Sequence, residues 1–137
     1  MSALSINPLI YRFVRYCLNR AYLELDDSKL SADERYSLET ILSIIRQAED
    51  NWRDVNDVVE FISNELPKIY GEALERLPDK IVDDLFEKVL NNCKDLDEVN
   101  TDPKVLNAIN SALENMKNIK KKFLEGSKTR IYEPPHN

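Results

Sequence analysis

Residues Pro8 to Leu25 read PLIYRFVRYCLNRAYLEL, and their pattern predicts the helix around which the rest of the chain packs. Apolar residues recur there at the three- and four-residue spacing of an α-helix and form a wide stripe. The stripe comprises Ile10, Phe13, Val14, Cys17, Leu18, Ala21 and Leu25. A stripe this wide needs more than one packing neighbour, so we expect this helix to lie centrally in a bundle. Asn7 and Pro8 supply the cap and first position of such a helix.

The rest of the chain repeats the helical pattern and predicts an all-α fold, a single bundle of five or six helices with antiparallel neighbours. Ser31 and Glu34 have capping-box spacing and begin the second helix. The third covers about residues 55–76, and Pro67 should kink or break it. Trp52 is expected to anchor the corner before it. Further helices begin at Pro78 and Pro103.

The last helix is expected to cover about residues 103–125, because Gly126 is a natural C-cap. Residues 1–126 would then be the helical bundle. Residues 127–137 would be a tail that is flexible or docked only in an assembly.

Composition narrows the class of protein. The 137 residues suit one domain, and two glycines are too few for sheets or phosphate-binding loops. Cys17 and Cys93 each fall on an apolar helix stripe, which favours buried thiols over a disulfide or a metal pair. This predicts a reducing, cytoplasmic location. No secretion signal and no membrane-spanning segment is predicted.

Charge is unevenly distributed along the chain. The net charge is −6, with +2 in residues 1–24, −12 in residues 25–103 and +4 in residues 104–137. One interpretation is that the faces are merely solvated or that the ends pack on the middle. The other is that a basic surface meets an anionic partner, while the acidic middle meets a protein neighbour.

Basic residues near the two ends are the candidate nucleic-acid-binding set. Arginines lie on the first helix and lysines on the last, and the two groups merge if these helices pack side by side. Such a patch would contact phosphates without reading base sequence. The candidates are Arg12, Arg15, Arg20, Lys117, Lys120, Lys121, Lys128 and Arg130.

No catalytic, cofactor or metal site is predicted. His136 is the only histidine, and it stands two residues behind Pro134-Pro135, where it is a poor general base unless the tail folds back. A serine–histidine–aspartate set or a cysteine–histidine pair is therefore not expected. Carboxylates at helical spacing, such as Asp79 with Asp83, can hold Mg²⁺ on a phosphate substrate. All-helical nucleotide pyrophosphatases of the MazG kind work in this way, but the spacing here matches them poorly. We expect a solvated helix face instead.

Two resemblances suggest protein classes. The stretch Leu30-Ser31-x-Asp33-x-x-x-Ser37-Leu38-Glu39 resembles the N-terminal dimerisation domain of Sgt-type co-chaperones. That resemblance implies dimerisation through the first two helices and contact with ubiquitin-like adaptor domains. In size and helical pattern the whole chain resembles the small helical subunits of CRISPR effector complexes, which touch nucleic-acid backbone through scattered Arg and Lys.

The leading functional hypothesis is therefore a non-enzymatic helical subunit of a larger assembly. Its expected partners are other protein subunits and the backbone of RNA or single-stranded DNA. A protein–protein adaptor that self-associates is the alternative, and a Mg²⁺-dependent all-α nucleotide pyrophosphatase is the third interpretation.

Overall fold

The computed structural model describes the backbone of residues 9–132 and the side chains of residues 9–126. Within that range the chain forms six helices and no strand, which confirms the predicted all-α bundle. The start predicted at Asn7 and Pro8 lies outside the described residues.

The helices follow one another through short connections. They are α1 (Leu9–Arg12, Phe13–Leu18 and Asn19–Leu23 in succession), α2 (Ala32–Glu49), α3 (Val55–Glu60, Phe61–Glu65 and Leu66–Leu74 in succession), α4 (Asp79–Lys94), α5 (Asp97–Asn100) and α6 (Pro103–Tyr132).

Helix α1 packs against α2, α3 and α4, so its wide apolar stripe has the several neighbours that the sequence predicts. Every residue of the predicted stripe is buried, and Leu9 joins it. Helices α1 and α2 run antiparallel. The Tyr22 hydroxyl donates a hydrogen bond to Glu39 near one end of the pair, and the Val14 N–H donates one to Glu49 near the other. On a second side α1 packs extensively against α4, where Lys88 bonds to Glu24 and Asn92 to the Cys17 carbonyl.

Two helices contain a π-helical segment, in which a backbone N–H bonds to the carbonyl five residues earlier. Asn19 bonds in this way to Val14 in α1, and Leu66 to Phe61 in α3. Both segments begin with a phenylalanine, and the rings of Phe13 and Phe61 meet edge to face at 6.1 Å.

Trp52 completes this aromatic cluster. Its ring centroid lies 5.5 Å from that of Phe13 and 5.3 Å from that of Phe61. Trp52 is half-buried and packs against the core, which confirms the predicted corner anchor. The cluster holds the connection between α2 and α3 against α1.

Pro67 does not break α3. A proline inside an α-helix collides with the carbonyl four residues earlier and lacks an N–H to donate. Here the wider π turn Phe61–Glu65 comes directly before the segment that contains Pro67 near its start. The predicted irregularity is therefore present, and the helix continues through it to Leu74.

The second helix begins as predicted. Glu34 N–H donates to Ser31 Oγ, and Ser31 N–H donates to the Glu34 carboxylate at 2.9 Å. Between α4 and α6, Leu96 and Val99 are buried and fix the polar connection to the core. The short α5 forms around them.

The end of the last helix differs from the prediction. Helix α6 continues through Gly126 to Tyr132, so the expected C-cap at Gly126 was wrong, and residues 127–132 have helical backbone. No residue there is a proline, and one interior glycine costs a helix only about 1 kcal/mol. Residues 133–137 lie outside the described residues.

The two cysteines meet between α1 and α4. Both are fully buried and unbonded by any disulfide, which confirms the prediction of buried thiols. Burial, with a hydrogen bond to the Cys17 thiol, raises the pKa of Cys93 well above its ordinary value. The sequence shows two separated apolar positions, and only the antiparallel packing of α1 on α4 makes them neighbours.

Candidate nucleic-acid interface

The last part of α6 leaves the helical core. Among its side chains up to residue 126, which the structure describes, Met116 is the last buried one, and Ile119 and Phe123 continue the contact with the core as half-buried side chains. Residues 117–132 contain six basic residues and one acidic residue. Because the helix backbone continues to Tyr132, these residues all lie on one helix.

Three lysines of this segment are exposed and make no ion pair among the described residues: Lys117, Lys121 and Lys122. Lys117 and Lys121 are one turn apart and lie on the same side of α6. Lys122 faces another side, where it lines a shallow depression with Lys68 of α3. The unpaired lysines therefore lie on two sides of this part of α6.

Lys120 is different because it is used within the fold. Its ammonium group donates a hydrogen bond to Asp83 Oδ2. The Tyr70 hydroxyl donates another to Asp83 Oδ1, with 2.6 Å between the two oxygens. The hydrogen bond from Lys120 to Asp83 raises the pKa of the lysine. Burial and the bond to Asp83 raise the pKa of the Tyr70 hydroxyl. This network joins α3, α4 and α6.

The arginines of α1 are mostly engaged as well. Arg12 forms an ion pair of 2.9 Å with Glu98. Arg20 donates to the Tyr16 hydroxyl at 2.6 Å and lies 3.4 Å from the Glu24 carboxylate.

Glu24 is held by two cations. Lys88 bonds to the same carboxylate as Arg20, and the two cations together lower the pKa of Glu24.

Arg15 differs from the other two arginines of α1. It is exposed and makes no ion pair among the described residues.

The two groups of basic residues do not form one patch through Arg12 and Lys120. Arg12 contacts Glu98, which lies beyond the end of α4. Lys120 contacts Asp83, which lies near the start of α4. The part of α4 from Asp83 to Lys94 alone separates the two ends by roughly 16 Å. Moreover, α1 packs mainly on α4, whereas α6 packs mainly on α3.

Lys128 and Arg130 lie on the helical backbone of α6, but their side chains are outside the described range.

Tyr70 had no place in the predicted site, and no local signal in the sequence marks it. Asp83 was expected on a solvated face, yet it is half-buried in the network with Lys120.

In the part of the chain that the structure describes, no group of three or more His, Cys, Asp or Glu side chains is arranged to hold a metal ion. None of the helices in that part has an apolar stretch long enough to cross a bilayer.

Fold and site together define an all-α bundle whose last helix carries exposed lysines near its C-terminal part. No protein-family model matches the chain, and no curated protein or solved structure is significantly similar to it.

Proposed function

We propose that this chain is a non-enzymatic helical subunit of a larger assembly and that the end of α6 contacts nucleic-acid backbone. One observation carries the proposal: Lys117, Lys121 and Lys122 are exposed, free of ion pairs among the described residues, and placed where α6 leaves the core. Ammonium groups that are not neutralised within the fold are available to phosphates.

The expected binding mode is electrostatic and independent of base sequence. Lysines contact phosphate oxygens as point charges, and the released counterions make the affinity depend on salt. A chain of net charge −6 repels nucleic acid at long range, so its own affinity should be weak. Within an assembly, other subunits supply the effective concentration that makes such a contact useful.

The assembly that we propose is a CRISPR-type nucleoprotein effector, with this chain as its small helical subunit in the cytoplasm. Chain length, the helical pattern and the basic end of α6 support this proposal. The enzymatic alternative, a Mg²⁺-dependent nucleotide pyrophosphatase, has less support because Asp83 is engaged by Lys120 and Tyr70.

A charge-reversal experiment tests the nucleic-acid contact. Lys117→Glu, Lys121→Glu and Lys122→Glu are combined in one variant, and its binding to fluorescent single-stranded RNA is measured by polarisation over a salt titration. We expect roughly tenfold or greater loss of affinity at low salt, and a salt slope smaller by about two units.

A matched control variant distinguishes the effect of these three positions from the effect of the change in net charge. Lys29→Glu, Lys80→Glu and Lys104→Glu change the charge equally and are also exposed, but they lie away from the end of α6. This control should keep most of the affinity. Equal losses in the two variants, or no binding by the unmodified chain at low salt, would contradict the proposal.

The arginines of α1 provide a second comparison. Arg12 is paired with Glu98, so Arg12→Glu combined with Arg15→Glu should weaken RNA binding less than the triple lysine variant does. A larger loss from the arginine variant would move the interface to α1.

A second candidate function, a self-associating adaptor, is favoured by apolar exposure on α1 and α2. Leu23 is 81% exposed and Tyr36 is 75% exposed, both on the helices that the Sgt resemblance implicates. If these exposed residues mediate self-association, light scattering should show a dimer that survives high salt. Leu23→Ser combined with Tyr36→Ser should then produce a monomer. A monomeric unmodified chain at high concentration would contradict this candidate.

A further inference from the structure

A cleft of about 400 Å³ lies between α3, α4 and α6. Its volume is within the range of small-molecule sites. The floor is apolar and includes Leu113, Met116 and Leu124 of α6. It extends roughly 16 Å along that helix from Leu113 to Leu124. Leu124 is 41% exposed, so an apolar occupant would remove it from water.

The polar network at one side of the cleft is already satisfied. Asp83 accepts one hydrogen bond from Tyr70 at Oδ1 and another from Lys120 at Oδ2, so each carboxylate oxygen has a partner. Its carboxylate is therefore neutralised by a partner within the fold and does not attract a cation from outside. Lys120 retains further N–H groups because an ammonium group has three donors.

The remaining charges on the cleft favour an anion. Lys117 and Lys121 line the α6 side and make no ion pair among the described residues, whereas Glu87 is the one free acid of the lining and lies on the α4 side. The excess is one positive charge, and it is concentrated on α6. An anionic group there would lie between two ammonium groups one helical turn apart.

We propose that this cleft binds a small amphipathic anion. Its apolar chain lies on Leu113, Met116 and Leu124, and its anionic head lies between Lys117 and Lys121. The complementarity is of two kinds: an apolar chain for the floor and a negative head for the lysine pair. Each supplies part of the affinity, so neither an ion nor a cationic amphiphile satisfies both.

Isothermal titration calorimetry of the full chain with three probes tests the proposal. Decanoate carries both features, acetate carries the head alone, and decyltrimethylammonium has a similar chain with the opposite charge. We expect one site for decanoate, no measurable heat of binding for acetate, and at least about tenfold weaker binding of decyltrimethylammonium.

Variants assign the two halves of the site. Lys117→Gln with Lys121→Gln should weaken decanoate binding about tenfold and leave decyltrimethylammonium no weaker than before. Leu124→Ser should weaken both probes. Lys104→Gln, at the other end of α6, is the control and should change neither. Circular dichroism checks that each variant is folded, and the partial exposure of Leu124 makes its replacement tolerable.

Three outcomes would overturn the proposal. The first is that decanoate gives no saturable heat. The second is that decanoate binds no better than decyltrimethylammonium and is unaffected by the loss of both lysines. A dimer that Leu124→Ser dissociates would show that a second copy of the chain fills the cleft. The result is independent of the RNA experiment, because Leu124→Ser removes no charge and should leave RNA polarisation unchanged.

Discussion

The Tyr70 hydroxyl lies 2.6 Å from Asp83 Oδ1, and this hydrogen bond joins the C-terminal half of α3 to the start of α4. Tyr70 is only 3% exposed, and its ring packs edge to face on Phe86 at 5.4 Å. The same carboxylate accepts a bond from Lys120 of α6. A single aspartate thus links the three helices that form the candidate ligand cleft.

Tyr70 should titrate later than an ordinary tyrosine. Its pKa is raised by burial and by the bond to Asp83, so the folded state keeps the proton when the unfolded chain loses it. Stability is therefore fully present below about pH 10 and falls as the pH rises further. Tyrosinate absorbance during alkaline titration should show a late component, which Tyr70→Phe removes. An unchanged titration curve in that variant would contradict the assignment.

The pairing of Lys120 with Asp83 should be worth more than a surface ion pair. A double-mutant cycle of Asp83→Asn and Lys120→Met should give a coupling free energy of about 1 kcal/mol in urea unfolding. Lys68 and Glu65 form the matched control, because they are 3.9 Å apart and largely exposed. Their cycle should give less than about 0.3 kcal/mol. Equal couplings would mean that Asp83 is not specifically engaged.

Glu49 should have two opposite effects on stability at neutral pH: its partly buried charge lowers the stability, and its hydrogen bond to Val14 supports α1. Burial raises its pKa, although its carboxylate accepts the Val14 N–H at 2.9 Å. The folded state therefore binds the proton more tightly, and this contribution to stability falls as the pH rises above the unfolded pKa of about 4.5. Glu49→Gln keeps an acceptor without the charge, so its stability relative to the unmodified chain should increase between about pH 4 and pH 7.

Removing the acceptor altogether should have the opposite effect. Glu49→Ala leaves the Val14 N–H without its side-chain partner and should cost about 1 kcal/mol in urea unfolding at neutral pH. If Glu49→Gln and Glu49→Ala are equally destabilising, the bond to Val14 does not support the π segment of α1.

Gly126→Ala distinguishes a continuous α6 from a helix that ends at residue 125. Nothing lies within 4 Å of a Cβ added at Gly126, and no described glycine has a positive φ. In a helix interior, alanine should stabilise the segment by up to about 1 kcal/mol, seen as greater far-UV helicity and slower amide exchange beyond Lys120.

A glycine in a left-handed C-cap would respond in the opposite direction, with lower stability in the alanine variant. Gly71→Ala is the comparison inside the bundle. An added Cβ there meets Ile119 Cγ2 at 3.4 Å, so its gain should be smaller.

Cys17 and Cys93 should be unreactive in the folded chain. Both are fully buried and therefore shielded from a reagent in solution. The pKa of Cys93 is also raised by burial and by the adjacent Cys17 thiol, so Cys93 forms little thiolate at neutral pH. Ellman's reagent should react only as fast as the protein opens, and it should titrate two thiols in denaturant. Rapid reaction under native conditions would contradict the packing of α1 on α4.

Local patterns in the sequence accounted for most of the fold. The apolar stripe of α1, the capping box at Ser31, and the anchoring of Trp52 follow from spacing and side-chain chemistry that act within a few residues. The end of α6 was the main error. Gly126 satisfies the local rule for a C-cap, but a glycine also fits a helix interior at modest cost, and residues 127–130 contain no proline to stop the helix.

The sequence by itself determined an acidic, all-α bundle around Pro8–Leu25 with basic residues near both ends, because periodicity and charge are properties of the chain itself. Only the tertiary structure decided which of those charges remain available. Arg12 and Lys120 are paired with acids that stand 86 and 37 residues away in the chain, whereas Lys117, Lys121 and Lys122 stay unpaired among the described residues. Ion pairs over such separations depend on how helices cross, and no local pattern encodes that.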